Sequence, residues 1–155
     1  LEAIMVSDNL KTKVLDLIKE QSKTLGINIR VTARIKDYSV LKVNIQSCSI
    51  DLKQNLIETV KDKLENGRLI GTDREYLQNV LNTIEQESET PQHIPFSLHK
   101  LNIMFSGKAL ELLEKVHAAI RCDYYNHSEV YQDYFDVAYY YDLSIGNNKA
   151  GFKVI

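Results

Sequence analysis

The residues best suited to specific recognition are concentrated between positions 122 and 148. Seven of the nine tyrosines lie between Tyr124 and Tyr141, and positions 122–148 contain five carboxylates without a single Lys or Arg. Tyrosine combines a rigid apolar ring with a polar hydroxyl, which makes it frequent at protein interfaces. The segment therefore predicts an acidic, tyrosine-rich surface that binds a protein partner. The residues assigned to it are Glu129, Asp133, Tyr134, Asp136, Tyr140 and Asp142.

The same residues also have a purely structural interpretation. In a β-strand the odd-numbered tyrosines would fill the core, and the outward carboxylates would pair with Arg30, Arg34 and Lys42 on neighbouring strands. Cross-strand pairs of opposite charge are common in antiparallel sheets, so this interpretation is preferred for the individual residues.

A second candidate surface is basic. Arg30, Arg34, Lys36 and Lys42 fall on the outward face of a predicted hairpin and could contact the phosphates of a nucleic acid. That hairpin face has no aromatic residue on which a base could stack, a feature that RNA- and single-strand-binding sheets generally use. The net charge of −2 does not indicate wholesale polyanion binding either. Solvated surface charge is preferred, and nucleic-acid binding is the alternative.

The sequence gives no positive evidence for catalysis, a metal or a cofactor. His93 and His99 match no standard ligand spacing, and His117 lies on the apolar face of a predicted helix. His127 is the best metal candidate because of its acidic loop, but a hydrogen-bonding role there is preferred. Ser106 begins a helix without the glycine-rich loop of a phosphate-binding motif. A non-enzymatic protein with no catalytic residue, no metal site and no cofactor is preferred, and an enzyme or metal protein that uses Asp123, His127, Glu129 and Asp133 is left as a further hypothesis.

Length and composition predict one domain. The 155 residues are 44% hydrophobic and 26% charged, as in ordinary globular proteins. Residues 1–4 precede Met5, a plausible native start, and are interpreted as a cloning remnant before a domain spanning 5–155. The polar segment 86–95 contains both prolines and is the candidate hinge.

The remaining expectations concern the cell compartment. No apolar run approaches the roughly 20 residues of a membrane span, and no signal-peptide pattern is present. Cys48 and Cys122 fit neither a disulfide framework nor a cysteine-rich zinc module, and we interpret them as reduced thiols. We expect a cytoplasmic protein with no membrane contact.

Hydrophobic periodicity predicts the elements that must position these residues. Apolar residues recur every three or four positions in helices that begin near Asp8, Asp51, Asp73 and Ser106. They alternate with polar residues over 27–36 and 41–46, a hairpin, and over 133–146, a long strand; 152–155 could form a short last strand. The predicted fold is α+β, with an antiparallel sheet made from the hairpin and the long strand, and helices packed on one face.

The C-terminal half resembles small domains carried by phages, prophages and conjugative elements, some known as large polyvalent protein-associated domains. The resemblance rests on four segments: Phe105-Ser106-Gly107-Lys108-Ala109-Leu110-Glu111, Tyr125-Asn126-His127-Ser128-Glu129, Asp133-Tyr134-Phe135-Asp136-Val137 and Ser144-Ile145-Gly146. Those domains continue past the glycine with a Trp-Asp-Lys-Pro-like turn, whereas this chain has neither Trp nor Pro at 147–151.

The resemblance implies a mobile-element origin and an accessory role beside DNA transfer or host defence, including counter-defence. It implies no established activity or catalytic residue. Three functional hypotheses follow: a protein-binding module that uses the acidic tyrosine-rich surface, a nucleic-acid-binding protein that uses the basic hairpin, and an enzyme or metal protein that uses the acidic loop around His127. The oligomeric state is not predicted.

Overall fold

A computed structural model describes residues 8–86, 93–124, 139–147 and 149–155. Within these residues the chain forms five helices, one 3-10 turn and four strands. The helices are α1 (Asp8–Thr24), α2 (Leu52–Asn66), α3 (Gly71–Gln86), α4 (Leu101–Met104, preceded by the 3-10 turn Leu98–Lys100) and α5 (Gly107–Ile120). The strands are β1 (Ile29–Lys36), β2 (Val40–Cys48), β3 (Tyr140–Ile145) and β4 (Lys153–Val154). The α+β prediction is confirmed.

The hairpin and the parity of its residues agree with the sequence pattern. β1 and β2 are antiparallel, with Arg34 opposite Lys42 and Ala33 opposite Val43. The odd-numbered residues of β2, including Leu41 and Ile45, are buried, whereas the charged residues of β1 are exposed. The turn consists of the three residues between the paired Lys36 and Val40, and two of them, Asp37 and Tyr38, have positive φ angles of 51° and 63°.

The sheet is mixed, not wholly antiparallel as predicted. β3 pairs with β2 in parallel, from Val40 opposite Tyr140 to Ile45 opposite Ile145. β4 is also parallel to β2 and pairs with its last two residues, Ser47 and Cys48. Parallel strands need a long crossover connection, and the helices between β2 and β3 provide one. Alternation of polar and apolar residues determines which face of the sheet a residue occupies but not the direction of the strand. The sequence pattern therefore did not reveal that β3 and β4 run parallel to β2.

One hydrophobic core joins the helices to the odd-numbered face of the sheet. α1 packs on both β1 and α5, and α2 packs on α3 and α4. The largest fully buried side chains come from all of these layers: Ile18, Leu41, Ile45, Leu52, Leu56, Leu77, Met104, Phe105, Leu112, Leu113, Ile120 and Ile145. The even-numbered face remains open to solvent at Arg30, Arg34, Lys36, Gln46, Tyr140 and Asp142.

The candidate hinge falls mainly outside the described residues, which omit 87–92. Its last residues are fixed to the sheet, because Ile94 is 5% exposed and its N–H donates to the Ile145 carbonyl at 2.9 Å. The part of the chain after the candidate hinge therefore begins inside the same core as the part before it.

The start of α5 is stabilised by α2 and not by its own N-cap side chain. Ser106 occupies the N-cap position, as predicted, but its side chain makes no capping bond to the helix amides. Instead its hydroxyl lies 2.9 Å from the Thr59 hydroxyl. Asn55 accepts from the Ser106 N–H at 3.0 Å and donates to the Ser106 carbonyl at 3.1 Å.

Candidate binding surface on the open sheet face

The structure describes part of the predicted acidic surface and all of the predicted basic surface. Tyr140 and Asp142 lie on β3, where both are exposed. The other residues assigned to the acidic surface lie outside the described residues: Glu129, Asp133, Tyr134 and Asp136. The four basic residues lie on one face of the hairpin, and Lys42 alone among them is partly buried.

The parallel pairing of β3 with β2 combines the two predicted surfaces into one. Asp142 lies beside Lys42, and Lys42 lies beside Arg34, so these three side chains form a row across the sheet. The next row contains Tyr140 and Lys36 on either side of Val40. The open face therefore mixes cations, a carboxylate and an aromatic ring, a combination that neither predicted surface had by itself.

The sequence pattern placed Tyr140 on an outward face but did not reveal that it lies beside the basic hairpin. Its side chain is 53% exposed, and it stands where the hairpin alone offered no aromatic group. The even-numbered position of Tyr140 in a period-two pattern already predicted that it points away from the core. The missing information was the identity of the neighbouring strand, which depends on pairing between distant parts of the chain, such as Val40 with Tyr140.

The predicted cross-strand ion pairs are not formed as direct contacts in the described part of the chain. Asp142 and Lys42 are neighbours in register, but the ion pairs within 4.0 Å among described residues are Lys13–Asp123, Lys61–Glu85 and Lys100–Asp73. The Asp142 carboxylate therefore has no cationic partner within 4.0 Å among the described residues.

A shallow groove of about 750 Å³ runs along this face. Its basic lining comes from Arg34, Lys42 and Lys149, with His93 at one side. Asn44 and Ser144 lie in its floor, where the Ser144 hydroxyl donates to the Asn44 side-chain oxygen at 2.9 Å. The groove lining thus contains several hydrogen-bond donors but a single carboxylate, that of Asp142.

His117 and the two cysteines are partly or fully buried against the rest of the protein. The Nε2 atom of His117 lies 3.1 Å from the Tyr141 hydroxyl, and burial, followed by the nearby charges of Arg121 and His99, lowers the pKa of His117. His127 lies outside the described residues. Cys48 and Cys122 are free thiols, and burial raises the pKa of each.

Within the ranges that the structure describes, no group of three or more His, Cys, Asp or Glu side chains is placed to hold a metal ion. No helix in those ranges is long and apolar enough to cross a membrane.

Three comparisons with known proteins found no similar protein. The chain matches no protein-family model, no curated protein and no solved structure at a significant level. The class that the geometry defines is therefore an α+β domain with an open, mixed-charge sheet face.

Proposed function

We propose that this protein is a non-enzymatic binding module that engages a partner protein through the open face of its sheet. The observation that carries the proposal is the arrangement of Tyr140 and Asp142 beside Lys42 and Arg34 on that face. Tyr and Arg are enriched at protein interfaces, where they provide large contact areas and directional hydrogen bonds.

Charge favours a protein over a polyanion as the partner. A phosphate backbone that followed the row from Arg34 to Lys42 would meet the Asp142 carboxylate next, and the net charge of −2 provides no long-range attraction for a polyanion. A protein surface that carries both signs of charge can match all three side chains.

The biological setting follows from the resemblance in the C-terminal half. Small domains of phages, prophages and conjugative elements carry similar segments, of which Ser106 to Glu111 and Ser144 to Gly146 are described here. We propose on this resemblance that the protein is a mobile-element accessory protein that acts in the host cytoplasm, with a host or element-encoded partner and a counter-defence role.

A second candidate function is the binding of single-stranded nucleic acid. The observation that favours it is Tyr140, which supplies an exposed ring next to the basic hairpin and removes the main objection raised by the sequence. Base stacking on an aromatic side chain contributes about 1–3 kcal/mol per base. The groove lined by Arg34, Lys42 and Lys149 would contact the phosphates.

The decisive experiment compares three purified proteins as bait in a nuclease-treated host lysate, with mass spectrometry to identify bound partners. The variant Tyr140→Ala/Asp142→Lys alters the open face, and Glu114→Lys reverses one charge on the exposed side of α5 as the matched control. We expect a stoichiometric protein to bind the wild type and Glu114→Lys but not the double variant. Equal capture by all three proteins would refute the proposed surface.

A direct titration tests the second candidate. Fluorescence anisotropy with single-stranded DNA and RNA oligonucleotides is measured over a range of salt concentrations for the wild type and for Arg34→Ala/Lys42→Ala. If nucleic acid is the partner, the double variant should bind more weakly. Its salt slope should fall by about 1.4, roughly 0.7 for each phosphate that the removed cations no longer neutralise. Binding that is unchanged by the double variant would eliminate this face as a nucleic-acid site.

A further inference from the structure

A second cluster of interacting side chains lies at the edge of the open sheet face, where the C-terminal end of α5 meets β3. Arg121 follows the last turn of α5 and is exposed. Its guanidinium carbon lies 4.5 Å from the centre of the Tyr124 ring and 5.8 Å from that of Tyr141. Its Nη1 donates to the Tyr141 hydroxyl at 2.8 Å. Two ring contacts and one hydrogen bond thus hold an exposed guanidinium in a defined position.

The hydroxyl of Tyr141 connects Arg121 to a histidine. The same oxygen that accepts from Arg121 lies 3.1 Å from Nε2 of His117, and the two rings are 5.6 Å apart. When His117 is neutral, the Tyr141 hydroxyl can donate to Nε2 while it accepts from Arg121, so the hydroxyl acts as donor and acceptor at once. This chain of bonds fixes the side of the guanidinium that faces Tyr141.

The rest of the guanidinium remains available for a ligand. Arginine has five N–H donors in a planar fork, and no carboxylate of the described residues lies within 4.0 Å of Arg121. Arg121 lines a pocket of about 490 Å³ next to β3, together with Ser97, His99 and the rings of Tyr124 and Tyr139. A cation that is held by aromatic rings and has no carboxylate of the described residues within 4.0 Å is suited to bidentate binding of an oxyanion.

We propose that this pocket binds a phosphate monoester whose organic group is aromatic or apolar, with Arg121 as the anchor of the phosphate. Ser97 and His99 supply further hydrogen-bonding groups along the pocket wall. The rings of Tyr124 and Tyr141, which pack edge-to-face against each other beside Arg121, provide an apolar surface for the organic part of the ligand. The pocket lining contains none of the basic hairpin residues, but it includes Tyr140 and the Asp142 carboxylate of the partner surface proposed above.

The test is a titration followed by ¹H–¹⁵N NMR at constant ionic strength, with phenyl phosphate, inorganic phosphate and sodium chloride as the three probes. We expect the side-chain Nε–Hε signal of Arg121 to shift and saturate with both phosphates and to remain unchanged with chloride. Phenyl phosphate should bind at least about threefold more tightly than inorganic phosphate, because the tyrosine rings contact its organic group. Shifts that never saturate, or that chloride reproduces, would overturn the proposal.

Variants separate binding from a merely structural role of Arg121. Arg121→Gln should weaken phenyl phosphate binding at least tenfold, whereas Arg68→Gln, which removes an exposed arginine between α2 and α3, should not change it. Tyr141→Phe keeps the ring but releases the guanidinium, and it should weaken binding about three- to fivefold. If Arg121→Gln does not fold, Arg121→Lys keeps the charge without the planar fork and should still weaken binding. Equal affinity in the folded Arg121 variant and the wild type would exclude the site.

Discussion

Tyr139 shows how a polar side chain is accommodated inside this core. It is 2% exposed, and its hydroxyl donates to the backbone carbonyl of Ile120. That carbonyl belongs to the last turn of α5, where backbone acceptors lack a partner within the helix. Tyr139 therefore joins β3 to the end of α5, and burial is the main reason why the pKa of its hydroxyl rises to about 12.

Replacing Tyr139 should change both the stability and its dependence on pH. Its pKa is higher in the folded protein, about 12, than the ordinary value of 10, so its contribution is full below pH 10 and is lost as the pH rises towards 12. Tyr139→Phe should lower the free energy of unfolding at pH 7 by about 1 kcal/mol, because a hydrogen bond is lost. It should also flatten the decline between pH 10 and 12.

Urea denaturation followed by circular dichroism at a series of pH values measures both effects. Tyr38→Phe is the matched control, since the Tyr38 side chain is 73% exposed at the hairpin tip and should alter neither quantity. If the free energy of unfolding of Tyr139→Phe fell between pH 10 and 12 as steeply as that of the wild type, ionisation of Tyr139 would not be the cause of the decline.

At the scale of elements, the turn after β3 depends on a glycine. Gly146 has a φ of +74°, and a Cβ atom at this position would lie 2.6 Å from the backbone nitrogen of Phe152. This close approach lets the chain return so that β4 pairs with the end of β2. The absence of a side chain at 146 is therefore a steric requirement of the sheet edge.

Two alanine substitutions separate this steric requirement from conformational strain. Gly26→Ala introduces strain alone, because Gly26 has a φ of +70° and an alanine Cβ there would have no atom within 4 Å. It should lower the free energy of unfolding by about 1–2 kcal/mol. Gly146→Ala should cost at least about 1 kcal/mol more, because the Phe152 backbone must also move. Equal costs in parallel urea titrations would argue against the close approach.

The junction between α2 and α5 depends on one amide side chain. Asn55 bonds to both the N–H and the carbonyl of Ser106, and so fixes the start of α5 against α2. Asn55→Ala should lower the free energy of unfolding by about 1–2 kcal/mol, since the Ser106 amide loses its acceptor. Asn82→Ala, on the exposed side of α3, serves as the control and should change stability by less than about 0.5 kcal/mol. If thermal denaturation showed a similar loss of stability in both variants, Asn55 would not be what fixes the start of α5 against α2.

At the scale of the whole molecule, the core crosses the candidate hinge. Leu77 and Val80 before the segment 86–95 belong to the same cluster of buried residues as Ile94 and Leu143 after it. A core shared in this way makes independent unfolding of the two parts unfavourable. We therefore expect one cooperative transition, with the same midpoint by far-ultraviolet circular dichroism and by tyrosine fluorescence.

Calorimetry provides the stricter check of this expectation. The calorimetric enthalpy of unfolding should equal the van't Hoff enthalpy if the chain behaves as one domain. Two resolved transitions, or a calorimetric enthalpy well above the van't Hoff enthalpy, would mean that the parts on either side of the candidate hinge unfold separately.

The elements of this protein could be predicted from local pattern because their causes are local. The stripe containing Val14 and Ile18 has helical spacing, and the alternation from Ile29 to Ile35 has strand spacing; both faces are determined by the geometry of the backbone alone. The same reasoning placed Tyr140 and Asp142 on an outward face before any neighbour was known.

Tertiary structure decided how those elements meet. The parallel pairing of Val40 with Tyr140, and the position of Arg121 between Tyr124 and Tyr141, depend on contacts that the hydrophobic pattern does not encode. Strand direction and helix docking are selected by the packing of the whole core, since many arrangements bury the same residues and only one fills the interior well. By itself the sequence therefore determined which side chains face solvent, and packing determined which of them became neighbours.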